Sequence, residues 1–174
     1  MPSWSVPWGC LVTDAVIRQA LRDSANDVLE KMFFAQTLGE SSVPEPAENA
    51  PAGEIAVRIV FHGEPAGSMT LRLTSAAARQ IAADFLGLDE AEVTGLQTSQ
   101  VVCELGNMIC GSLLSRVESA TAFQLDAPQA VPPSEALTGD SANVRLAVDL
   151  SNGRLILNVA TETPPCLEPV QSAY

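Results

Sequence analysis

Residues Gln97 to Glu118 are apolar or small on nearly every side of a helix and polar along one narrow stripe. Gln97, Gln100, Glu104, Asn107, Gly111, Ser115 and Glu118 recur at alternating short steps that keep them on a single helical face. Val101, Val102, Cys103, Leu105, Met108, Ile109, Cys110, Leu113, Leu114 and Val117 occupy most of the rest. A helix so oily cannot lie on the edge of a domain; other layers must cover it on most sides. The chain can supply them: 47% of its 174 residues are apolar and only 17% are charged, enough to bury a full core in one domain.

The covering layers are legible from periodicity. Asp14 to Leu38 reads as a first long amphipathic helix, with Thr13 as N-cap and Gly39 as C-cap. Ser41 to Ala52, with three prolines, reads as a loop. Ile55, Val57, Ile59 and Phe61, then Met69, Leu71 and Leu73, alternate as two strands joined by a turn at His62-Gly63-Glu64-Pro65. Ser75 to Leu86 is a helix ended by Gly87, and the second long helix runs from about Thr98 to Ser119. Ala122 to Asp126 is a strand, and Pro128, Pro132 and Pro133 mark a loop to about Ser141. Val144 to Leu150 and Leu155 to Val159 form a closing hairpin, where Asn152-Gly153 offers the positive φ of a type I′ turn. The expected fold is α+β: an antiparallel β-sheet with two long helices packed on it, in the order α-β-β-α-α-β-β-β. One domain is expected over 1–174, with its core at about 14–161 and loose ends at 1–12 and 162–174.

Composition removes several function classes. Nine Lys and Arg stand against 21 Asp and Glu, a formal charge of −12, so no positive face invites nucleic acid or an anionic membrane. Lys31 and His62 are the chain's single lysine and single histidine, which excludes histidine-rich zinc sites and a lysine-anchored phosphate loop. The cysteines, Cys10, Cys103, Cys110 and Cys166, form no C-x-x-C pair. Cys103 and Cys110 would lie about 10 Å apart along a helix, too far to bridge. Reduced thiols in a cytoplasmic protein are expected. Neither a signal peptide nor a membrane-spanning apolar run is read in the sequence. Trp4 and Trp8 read as cover for an apolar patch, and His62 as a turn residue.

The polar stripe carries Glu104-Leu105-Gly106-Asn107. Asparagine is no base at neutral pH, but its carbonyl accepts and its NH2 donates, so it can hold a water. Placing a water suffices when the target is already activated, as an acyl phosphate is. A neighbouring glutamate can pair with a cation on the molecule that carries the phosphate. Spacing alone also fits an ordinary solvated face. Gly106 beside the stripe and Gly111 on it each cost roughly 1 kcal/mol in a helix interior. Close packing on a neighbour, or room for an approaching surface, would explain them.

Glu104-Leu105-Gly106-Asn107-Met108-Ile109-Cys110-Gly111, with the surrounding order of elements and the closing hairpin, resembles the CheC/CheX/FliY family of response-regulator phosphatases, CheX most of all. The resemblance covers about Asp14 to Thr161. It implies that Asn107 orients the water that attacks the aspartyl phosphate of a CheY-like response regulator in chemotaxis-type signalling. Glu104 would contact a phosphate-proximal lysine, and Gln100, Gly111 and Ser115 would touch the partner. It implies no cofactor or metal on this chain, the Mg2+ belonging to the response regulator, and a homodimer formed through the sheets. Gln100 stands where the family often has Asp or Ser. The alternative is an inactive adaptor of the same fold in a signalling or flagellar switch complex. On the first helix, Asp27-Val28-Leu29-Glu30 lies in the register that best fits the apolar positions and lacks the amide. Asp23-Ser24-Ala25-Asn26 has the amide but carries Asp for Glu. That helix reads as a solvated face, which favours a single-site, CheX-like chain.

Overall fold

The computed structural model describes residues 13–43, 53–117, 122–137 and 144–162. Its elements are α1 (Asp14–Met32), β1 (Thr37–Ser41), β2 (Glu54–His62), β3 (Gly67–Thr74), α2 (Ser75–Leu86), α3 (Gly95–Ser115), β4 (Gln124–Leu125), β5 (Gln129–Val131), α4 (Pro133–Leu137), β6 (Val144–Leu150) and β7 (Gly153–Thr161). The eight expected elements stand in the expected order. Three short ones, β1, β5 and α4, are added to them. Trp4, Trp8, Cys10, Glu118, Cys166, most of the Ser41–Ala52 segment and nearly all of the C-terminal tail lie outside the described residues.

The strands form one antiparallel sheet in the order β1-β6-β7-β3-β2-β4, with β5 also on β2. Alternation decides which side is oily. Val57, Ile59 and Phe61, Met69, Leu71 and Leu73, and Leu155, Leu157 and Val159 are buried together with the inner faces of α1, α2 and α3. The topology is nearly two-fold. An α-β-β-β half (α1, β1, β2, β3) is followed by a second (α3, β4 with β5, β6, β7). Each half lends its edge strand to the other: β1 pairs with β6, and β4 and β5 pair with β2.

Three expectations are corrected. α1 stops at Met32, not near Leu38. Phe34 takes a positive φ of 54° and the Ala35 N–H donates back to the Leu29 carbonyl at 2.9 Å, which turns the chain. Gly39 is no helix cap; it lies in β1 with φ 120° at a register shift. The closing hairpin has Leu150 opposite Gly153, so its loop is Ser151-Asn152, and neither residue has a positive φ. It is not a type I′ turn. Gly153, at φ 151°, is required by crowding instead, since a Cβ there would stand 2.0 Å from Thr74 Oγ1.

Candidate functional site

α3 begins with a full capping box. The Thr94 hydroxyl accepts from the Gln97 N–H at 3.2 Å, and the Gln97 side chain accepts from the Thr94 N–H at 2.9 Å. Gln97, expected on the functional stripe, is thus spent on the helix start. Thr98, Val101, Val102, Leu105, Gly106, Ile109, Cys110, Leu113 and Leu114 are buried, which fixes the opposite face toward solvent. That face carries Gln100, Glu104, Asn107, Gly111 and Ser115. Glu104, Gln100 and Ser115 are exposed, while Asn107 and Gly111 are half-buried. One turn before Gln100, Leu96 projects with 70% of its surface exposed. Sequence reasoning passed over it, although its helical spacing to Gln100 put it on the rim of the stripe.

The two glycines separate cleanly. A Cβ on Gly106 would sit 2.9 Å from Ile59 Cδ1, with Val57 and Leu71 next, so this glycine lets α3 settle onto β2 and β3. A Cβ on Gly111 would meet nothing within 4 Å. Gly111 therefore leaves a gap in the solvent face directly after Asn107.

Glu104 and Asn107 make no side-chain hydrogen bond or ion pair among the described residues. Three apart on a helix, their Cβ atoms stand about 5–6 Å from each other. A carboxylate and a carboxamide thus face outward with their hydrogen-bonding capacity unspent, on a helix whose opposite face is packed into the core. Ser115 is less free: its hydroxyl donates to the Ser112 carbonyl at 2.7 Å. Cys103 and Cys110 are free thiols; burial pushes Cys110 up to about 12 and Cys103 upward as well, so neither is a nucleophile near neutrality. Among the described residues, no three His, Cys, Asp or Glu side chains converge to hold a metal ion.

On α1, Asp27 is engaged by Lys31 at 2.7 Å and by Arg116, just past the end of α3, at 2.5 Å. Hydrogen bonds from those two cations hold its carboxyl below the ordinary value. Glu30 accepts from the Thr37 hydroxyl at 3.0 Å. These two carboxylates tie elements together.

The family model described as chemotaxis phosphatase CheX matches residues 55–151, more than half of the chain and all of α3. The chain belongs to the CheX family. Its fold is shared with solved CheX structures. The CheX protein from Vibrio vulnificus superposes with a TM-score of 0.68 at 18% identity, over 87% of this chain and 99% of that one. The CheX–CheY–BeF3–Mg2+ complex from Borrelia burgdorferi gives 0.62 at 17% identity, over 83% and 96%. CheX from Desulfovibrio desulfuricans gives 0.63 at 18%, over 84% and 99%. A comparison with curated proteins finds no match in sequence. No helix among the described residues is long and apolar enough to cross a membrane.

Proposed function

We propose that this CheX-family chain dephosphorylates the aspartyl phosphate of a CheY-like response regulator. The observation that carries the reading is the outward, unpartnered Glu104–Asn107 pair on the solvent face of α3, with an open position at Gly111 beside it. A CheX relative has been crystallised with CheY, beryllium fluoride and Mg2+, which supports a receiver domain as the partner.

The chemistry asks little of this chain. An acyl phosphate is already activated, and its hydrolysis needs a water placed in line behind phosphorus. The Asn107 carbonyl accepts a hydrogen bond from that water and aims its lone pair at phosphorus. As the water oxygen bonds to phosphorus, the bond from phosphorus to the receiver's aspartate oxygen breaks. The products are inorganic phosphate and a free carboxylate, and the water's proton leaves with the phosphate and solvent. Glu104 pairs with a lysine beside the phosphate and fixes the register of docking. Gln100, Gly111, Ser115 and Leu96 line the approach. The divalent cation belongs to the receiver. In this reading the protein is cytoplasmic and works as a homodimer.

The test is phosphate release from phosphorylated CheY-type receivers with and without the chain. Acceleration is expected, and Asn107→Ala is expected to lower it at least a hundredfold while changing stability by less than about 0.5 kcal/mol, as surface substitutions do. Full activity in Asn107→Ala would remove the assigned role. Receiver binding without phosphate loss would make the chain an adaptor.

A further inference from the structure

The C-terminal ends of α1 and α2 meet where Phe33 stacks on Phe85, with ring centroids 4.8 Å apart. Between these ends and the Ser151-Asn152 loop of the closing hairpin lies a cavity of about 280 Å³, near the lower end of the range for small-ligand sites. Phe34, Ala77, Ile81 and Leu150 give it an apolar lining. Its polar lining is a chain of hydrogen bonds. Asn152 Nδ2 donates to Gln80 Oε1 at 3.1 Å, and Gln80 Nε2 donates to Asp84 Oδ1 at 3.0 Å. No residue of α3 lines the cavity, so it is separate from the face that carries Glu104 and Asn107.

Three observations give this cavity a preference for positive charge. Asp84 makes no ion pair among the described residues, and no Lys or Arg is among the residues that line the cavity. The helix ends add to the carboxylate, because the free carbonyls of a helix C-terminus carry partial negative charge. α2 places Asp84 in its last turn and has no basic residue there, which is the wrong sign for its own dipole. α1 has Lys31 in its last turn, but that lysine is committed to Asp27 at 2.7 Å. The third observation is Phe34, which is 73% exposed and takes a φ of 54°. Glycine would make this turn at less cost and put no apolar ring in water. An exposed aromatic face beside a carboxylate is, however, suited to a cation. An anion would meet Asp84 and two negative helix ends.

We propose that this cavity binds an organic cation, an ammonium or guanidinium group on an apolar stem, with the charge at Asp84 and the stem against Phe34, Ile81 and Leu150. A free amine and a lysine or arginine side chain of another protein share that chemistry. The test is a titration of the isotope-labelled chain at constant ionic strength, followed by the backbone amide NMR signals of Ala35, Gln36, Ser151 and Asn152. Benzylammonium is expected to shift these signals saturably and to bind about tenfold more tightly than benzyl alcohol, which has the same body without the charge. Asp84→Asn keeps the oxygen to which Gln80 donates and is expected to weaken benzylammonium about fivefold. Phe34→Gly is expected to weaken it by about the same factor while the rest of the spectrum stays that of the folded chain. N-acetyl-lysine methylamide separates the two sources. Binding at least as tight as that of benzylammonium assigns the cavity to a basic side chain, and binding of benzylammonium alone assigns it to a free amine. Equal affinities for benzylammonium and benzyl alcohol, or an Asp84→Asn chain that binds as the parent does, would overturn the charge assignment. Absence of saturable shifts with both amines would overturn the site.

Discussion

Gly106 and Gly111 lie little more than a turn apart on α3 and meet opposite surroundings. Helix propensity favours alanine over glycine at both by about 1 kcal/mol. At Gly111 nothing stands in the way, so Gly111→Ala is expected to stabilise the fold by about 0.5–1 kcal/mol in urea unfolding. If the gap admits a partner, the same substitution lowers receiver affinity. At Gly106 a methyl would strike Ile59, which is completely buried. Overpacking of that kind costs about 1–3 kcal/mol and outweighs the propensity gain. Gly106→Ala is expected to destabilise the fold, and Gly106→Val to do so more, because Val57 and Leu71 also crowd the site. Equal effects at the two glycines would show that their surroundings do not matter. Sequence could name both explanations for glycine in a helix but not assign them, because the assignment depends on which residue faces Ile59.

Boundaries of elements were legible where a backbone signal coincides with the end of a pattern. α2 runs from Ser75 to Leu86 as read, because Gly87 accepts the left-handed conformation at φ 66°. At the end of α1 the signals conflict. Phe33 continues the apolar spacing but is buried in a ring stack with Phe85 at 4.8 Å, outside the helix. Phe34 then adopts a conformation that side chains disfavour. Because Phe34 is 73% exposed, Phe34→Gly loses little burial and removes that cost; a gain of about 0.5–1 kcal/mol is expected in thermal or urea unfolding. β1 escaped notice because an edge strand exposed along its middle has no alternation to read, and β5 because prolines flank it. β1 is fastened to α1 through Glu40. Arg22 donates to it from Nε at 2.9 Å and from Nη2 at 2.5 Å, and Arg18 also reaches it. Desolvation raises the Glu40 carboxyl, but the hydrogen bonds from Arg22 and Arg18 outweigh it and hold the group below its ordinary value. A depressed carboxylate contributes stability above its unfolded value, near pH 4.3, and loses it as pH falls through the folded one. Glu40→Gln is therefore expected to cost about 1 kcal/mol at pH 7, less at high salt, and to match the parent once both carboxyl forms are protonated. A difference that persisted at pH 2.5 would assign the effect to packing.

At the scale of the whole molecule, alternation in the strands identified one buried face of the sheet, the one under α1, α2 and α3. The opposite face is also partly closed, which no apolar pattern announces. Ala56, Thr70, Arg72, Ala147 and Ile156 point away from the long helices and are all buried, and α4 lies against β2 and β3 on the side where Arg58 donates to the Glu135 carbonyl at 3.2 Å. Small residues and a paired charge make that face look like solvent surface in the sequence. Its central interaction is Arg72, which donates to Glu54 from Nη2 at 2.6 Å and from Nε at 3.1 Å, with the two side chains only 7% and 8% exposed. Neither ion retains much hydration, so the attraction between them is offset by the cost of desolvating both. Removing one partner keeps the desolvation cost and loses the attraction. Glu54→Leu is expected to destabilise the fold by about 3–5 kcal/mol by leaving the guanidinium buried without its carboxylate. Glu54→Leu combined with Arg72→Met removes both charges and is expected to recover most of that loss, which two independent defects would not do. A urea-unfolding cycle over the four proteins decides the matter: additive losses would mean that each side chain acts alone, and strong coupling would mean that one ion pair holds β2 against β3 beneath α4.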